Sequence, residues 1–207
     1  MLKKYILAAI LIAASVIGGY GCMEKKREYR DINEGALEYM EQRYGETFKF
    51  VGAHGLFYSK NSRSIMVSCA SFPGKEIRVD IIKDGKNEKY RDNYMRYYFA
   101  DQVNEFILNI AKEYFDDVTF RISIFASTID SSIDFETTFE EYIHNKYSVY
   151  GHMEIGESNE DTIREFADEL VRRGIKFTIG INIPSTGEGY DIQYLNDFDE
   201  IDFYRRK

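Results

Sequence analysis

Cys22 is the residue of this 207-residue chain whose surroundings most directly imply chemistry. It follows a basic start (Lys3, Lys4), an apolar run from Ile6 to Ile17, and the small-residue stretch Gly18, Gly19, Tyr20, Gly21. The run is 12 residues long, whereas about 20 apolar residues are needed for a helix to cross a bilayer. It therefore reads as the apolar core of a signal peptide, residues 1–21, cut between Gly21 and Cys22. A cysteine at that junction can take a diacylglyceryl group on its sulfur. Two acyl chains such as palmitate hold a protein stably, because each buried CH₂ contributes about 0.8 kcal/mol. The competing outcome is ordinary signal peptidase cleavage, for which the small Gly19 and Gly21 also suffice. The first outcome predicts a protein anchored to the outer face of the cell membrane, the second a secreted one.

Other reactive side chains give weaker patterns. Of three histidines, His144 falls at a helix end beside Lys146, and His152 falls on the polar face of a strand with Tyr150 and Glu154. No two share a spacing that would bring them to one metal ion. His54, in Gly52-Ala53-His54-Gly55, is expected in a glycine-flanked loop where an imidazole could be presented to a substrate; the plainer reading is a turn histidine. Asp130 and Asp134 lack the glycine and terminal Glu of a calcium loop, and Asp197, Asp199, Glu200 and Asp202 are interrupted by Phe198 and Ile201, which suggests an edge strand or short helix. Gly-x-Ser-x-Gly, Ser-x-x-Lys and a glycine-rich loop followed by Lys are all missing. No catalytic residue, metal ligand or cofactor is therefore assigned.

Tyr90 to Phe99 is the most unusual stretch, with Tyr90, Tyr94, Tyr97, Tyr98 and Phe99 interleaved with Arg91 and Arg96. Tyrosine and arginine are enriched at recognition surfaces. Tyr90, Tyr94, Arg96, Tyr97 and Tyr98 are accordingly the candidate ligand or partner contacts. The alternative is that the rings cover a sheet edge and lead into the following helix.

Composition narrows the partners. Removing residues 1–21 takes away two lysines and no acids, leaving 25 basic against 35 acidic side chains, a net charge of −10. Nucleic acid requires a basic face and is excluded as a partner class. The basic cluster Lys25, Lys26, Arg27 could touch anionic headgroups or serve only as part of a tether, residues 22–31. The absence of Trp lowers the case for sugar binding without removing it, since Tyr can stack on a sugar ring. Cys69 is expected to be a small buried hydrophobe; a Cys22–Cys69 disulfide is open only if Cys22 carries no lipid.

The hydrophobic pattern supplies the elements. A helix is predicted from Ile32 to Tyr44, capped by Asp31, striped by Leu37, Met40 and Tyr44, and stopped at Gly45. Strands follow at Thr47–Val51, with Phe48 and Phe50 on one face, then Leu56–Tyr58, Ser64–Ser71 and Glu76–Lys83. Val103, Phe106, Ile107, Ile110, Ala111 and Tyr114 form one helical stripe, and Val118–Phe125 alternates as a strand. A helix at Phe135–His144, a strand at Ser148–Ile155, a helix capped by Ser158 and ended by Gly174, and a strand at Ile175–Ile183 complete the pattern. Pro184 stops that strand, and Ser185–Gly189 reads as a loop. The expected fold is α+β, with helices packed on one mixed or mainly antiparallel sheet in the order α-β-β-β-α-β-α-β-α-β, as a single domain from 32 to 207.

Tyr44, Gly45, Glu46 and Phe48 after an amphipathic helix, and Asp92, Asn93, Tyr94 and Tyr97, behind a leader ending in Gly21-Cys22, resemble small lipoproteins of low-GC Gram-positive bacteria. That group has no established activity. The resemblance implies an extracytoplasmic address and carries over no functional residues. Three function classes are left: a lipid-anchored module binding an envelope protein or extracellular ligand, an envelope hydrolase with a site near His54, and a structural assembly subunit.

Overall fold

The computed structural model describes residues 33–59, 62–84, 87–124, 128–129, 131–145, 148–194 and 201–206, and for 54–59 the backbone alone. Cys22, the leader, the tether and the Asp31 cap lie outside the described residues, as do Asp130, Lys146, Asp197, Asp199 and Glu200. The fold is α+β, as expected, and its strands are divided between two sheets. The chain forms two compact units, the first ending at Tyr90 and the second beginning at Arg91.

In the first unit, helix α1 (33–44) buries Ala36, Met40 and Tyr44 at a spacing of one turn. Gly45 ends it at φ 69°, a conformation glycine adopts without steric cost. Strands β1 (Lys49–Ser59), β2 (Ser62–Ser68), β3 (Ile77–Asp84) and β4 (Asn87–Asp92) follow, and they lie side by side in chain order. Ile65, Val67, Ile77, Val79 and Ile81 fill the buried face of β2 and β3.

Two predicted strands, Thr47–Val51 and Leu56–Tyr58, are parts of the single long strand β1. Phe48 and Phe50 do not share a buried face: Phe48 precedes the strand, packs against Tyr44 and is 4% exposed, whereas Phe50 is 43% exposed. The register shifts directly after Phe50, an extra residue that breaks simple alternation. His54 is not on a loop; its backbone belongs to β1 and pairs with Ser64.

The second unit begins with α2 (Tyr94–Tyr98) and α3 (Ala100–Ala111). Val103, Ile107, Ile110 and Ala111 of α3 are buried, the stripe expected from periodicity. Next come β5 (Val118–Ile122), α4 (Phe139–Ile143), β6 (Val149–Ile155), α5 (Glu160–Arg172), β7 (Phe177–Ile183), β8 (Glu188–Tyr194) and β9 (Asp202–Arg206). These five strands form a sheet in chain order, antiparallel except for β6 and β7, which are parallel. Parallel neighbours need a crossover, and α5 supplies it.

The ends of these helices have local causes. Helix α4 starts at Phe139, later than predicted, because Thr138 forms a reciprocal capping box with Glu141. Phe135 is left in the preceding turn. Asn159, not Ser158, caps α5, its side chain accepting from the Thr162 N–H at 3.0 Å. Gly174 ends α5 at φ 71°, with its N–H donating to Val171 O and the Ile175 N–H to Leu170 O. Buried Ile175 and Leu170 provide the apolar contact that accompanies this motif. The predicted Ser185–Gly189 loop is shorter: β8 resumes at Glu188 after a turn at 184–187. Asp202 opens the edge strand β9.

Candidate functional site

The tyrosine-rich stretch falls into separate settings. Tyr90, in the first unit, stacks on Tyr39 with ring centroids 4.8 Å apart and donates from its hydroxyl to Glu88 at 2.5 Å. Burial and then the neighbouring Glu88 push its pKa well above the ordinary phenol value. Tyr94 and Arg96 are buried in the second unit. Asp92, also buried, accepts the Tyr94 N–H at 2.9 Å and so starts α2. Arg96 Nη1 donates to Ser148 O at 3.2 Å, and its guanidinium lies 6.0 Å from the Tyr150 ring centre. Arg96 thus ties α2 to the entry of β6. Tyr97 is half-buried.

Tyr98 remains at the surface, 45% exposed, and Phe135 beside it is 46% exposed. Their rings meet edge-on, with centroids 5.3 Å apart. Beneath them, buried Tyr94 meets Phe135 at 5.9 Å, and Phe99 meets Tyr98 at 5.0 Å before stacking on Tyr142 at 4.3 Å. An exposed aromatic pair is therefore mounted on a packed aromatic base. Phe135 was not among the residues singled out from sequence, because its contact with Tyr98 spans 37 positions.

A second constellation lies on the face of the five-stranded sheet opposite its apolar side. The register aligns Arg121, His152, Gly180, Asp191 and Tyr204 in one row across all five strands. The next row is Thr119, Glu154, Asn182, Gly189 and Arg206. Thr119, Arg121, His152, Glu154, Tyr204 and Arg206 are exposed, and Tyr204 is 60% exposed. The polar side chains converge over Gly180. A Cβ there would stand 3.1 Å from His152 Nδ1, 3.3 Å from Asp191 Oδ1 and 3.6 Å from Arg206 Nη2.

Arg206 is held in place by its neighbours. Its Nη2 donates to Asn182 Oδ1 at 2.9 Å and Ile181 O at 3.0 Å, with Tyr190 O at 3.4 Å, and its Nε lies 3.3 Å from Asp191 Oδ2. The guanidinium fills the space above Gly189, where a Cβ would be 3.1 Å from Nε and Nη2. The sequence placed His152 on a polar strand face, and the structure agrees. It did not connect that histidine with Asp191 or Arg206. The available signal was Gly180, an isolated glycine inside a strictly alternating strand, which marks a close approach of other groups.

Among the described residues, no group of three or more His, Cys, Asp or Glu side chains could hold a metal ion. Among the same residues, no helix is long and apolar enough to cross a membrane.

No family model matches the chain, and no curated protein is similar to it. Among solved structures, it is similar to the crystal structure of a DUF5037 family protein from Ruminococcus gnavus ATCC 29149. That likeness has 13% sequence identity and a TM-score of 0.38, covering 72% of this chain and 73% of the other.

Proposed function

We propose that the protein is a non-enzymatic binding module of the cell envelope, exported by its leader and tethered to the membrane through lipid on Cys22. The observation that carries the binding half of this reading is the Tyr98–Phe135 pair. Two large rings stand exposed side by side on a base of buried rings. Aromatic side chains offer large contact area at low entropic cost, and those fixed by packing lose least on binding. The leader pattern supports the anchored half: Lys3 and Lys4 before an apolar run that ends in Gly21-Cys22.

Site-specific photocross-linking tests the binding surface. Tyr98 and Phe135 are each replaced in turn by p-benzoylphenylalanine in the full chain, with Lys75, on an exposed loop, as the reference position. Discrete adducts from both aromatic positions and none from position 75 are expected. Equal labelling at all three positions, or no adduct at 98 and 135, would contradict this surface.

A further inference from the structure

We propose that the open face of the five-stranded sheet, centred on Gly180, is a saccharide-binding site. This rests on the reading of the protein as a binding module and deepens it by naming a ligand class, on a surface separate from the Tyr98–Phe135 pair.

Two glycines, Gly180 and Gly189, stand on this face in neighbouring strands. Neither Gly180 nor Gly189 has a positive φ, so the backbone at each would accept a side chain. A glycine inside a strand weakens it and usually marks a place where other groups need the room. Here that room is taken by polar groups. The Arg206 guanidinium lies over Gly189, while His152 and Asp191 lean over Gly180 from the strands on either side.

The arrangement is prepared for a ligand with alternating donors and acceptors. The contacts of Arg206 use Nε and Nη2, so both N–H groups of Nη1 are left over among the described residues. Asp191 engages Arg206 through Oδ2, leaving Oδ1 as an acceptor above Gly180. His152 supplies a ring nitrogen that can donate or accept. A hydroxyl both donates and accepts, so a polyol can satisfy a carboxylate oxygen and a guanidinium N–H that lie side by side.

Charge excludes the obvious competitors. Arg121 and Arg206 are opposed on the same face by Glu154, Asp191 and Asp202. A phosphate group would meet the carboxylates, and a simple cation would meet the guanidiniums. A neutral polar ligand meets no net repulsion. Tyr204 lies in the same row beside Asp191 and offers an exposed ring on which the C–H face of a sugar can stack. From His152 to Tyr204 the row crosses three inter-strand gaps of about 4.8 Å each, room for more than one sugar ring.

The test is saturation-transfer NMR on the full chain, purified in an amine-oxide detergent that carries no sugar headgroup. The probes are cellotetraose, chitotetraose, maltotetraose and, separately, inorganic phosphate. Transfer to the ring protons of at least one tetrasaccharide is expected. Gly180→Val, which sets a bulky strand-compatible side chain against His152 and Asp191 and displaces them, and Tyr204→Ala, at an exposed edge position, should each weaken binding about tenfold or more, a loss of about 1.4 kcal/mol. Lys75→Ala should leave it unchanged. If Gly180→Val does not fold, as read by its thermal transition, Tyr204→Ala decides alone. No transfer to any tetrasaccharide, binding of phosphate only, or binding that survives Tyr204→Ala would overturn the proposal. Loss of saccharide binding with cross-links at Tyr98 retained removes this site alone. Saccharide binding without those cross-links removes only the aromatic surface.

Discussion

The Phe120 ring lies over Gly151 so closely that a Cβ on the glycine would stand 2.4 Å from both Cε2 and Cζ of the ring. Gly151 pairs with Ile122 on one side and Ile179 on the other, in the interior of the five-stranded sheet. A ring edge is not the free end of a flexible chain, so an added methyl group forces the ring or the strand to move. Gly151→Ala is expected to destabilise the fold by about 1–3 kcal/mol, the usual cost of overpacking. Urea unfolding measures it as a lowered midpoint, and combining it with Phe120→Leu should recover part of the loss. An unchanged midpoint in Gly151→Ala would contradict the packing described.

Glu169 gives the fold an acid-sensitive clasp. Its nearly buried carboxylate accepts from Arg173 Nε at 2.6 Å and pairs with Arg172, while Arg173 lies 3.6 Å from Glu113 beyond the end of α3. The Arg173 hydrogen bond outweighs burial and holds the Glu169 carboxyl below its ordinary pKa of 4.5. A depressed folded-state pKa contributes stability above the ordinary value, and that contribution is lost as pH falls through the depressed one. Glu169→Gln should therefore lower the melting temperature at pH 7, and the gap from wild type should close toward pH 3. A gap that stays constant across that range would contradict the assignment.

Cys69 follows β2 and is half-buried. Burial pushes its thiol pKa up, and the hydrogen bond and charge of Glu46 push it further, against the Phe72 and Ser71 backbone N–H groups, which lower it. Because the thiolate is the nucleophile, alkylation should be slow. In a Cys22→Ser background, iodoacetamide at pH 8 should label Cys69 more slowly than an unstructured cysteine peptide, and Glu46→Gln should speed the reaction. Labelling at the peptide rate would contradict this environment.

Legibility in the sequence followed the range of the interaction. The α3 stripe and the alternation of β7 are local patterns, and both appear where periodicity put them. Gly45 and Gly174 were legible as helix stops because a left-handed residue is a local requirement. The failures share a different cause. Phe48 packs on Tyr44 before β1 begins while Phe50 stays exposed within it, and His54 entered the same strand although its flanking glycines suggested a loop. Strands β4 and β8 were not foreseen, since mixed polar runs such as Asn87–Asp92 gain strand form from their partners. The division into two sheets depends on which strands pair, and alternation is silent on that. His152, Asp191 and Arg206 come from three strands, so no sequence spacing could join them.

The central claim, a tethered binding module, is tested most directly by the intact mass of the mature protein from a membrane fraction, compared with Cys22→Ser. The expected result is a chain beginning at Cys22 with a diacylglyceryl addition, both the addition and the membrane retention being lost in the variant. An unmodified chain recovered from the medium, or one retaining residues 1–21, would contradict it.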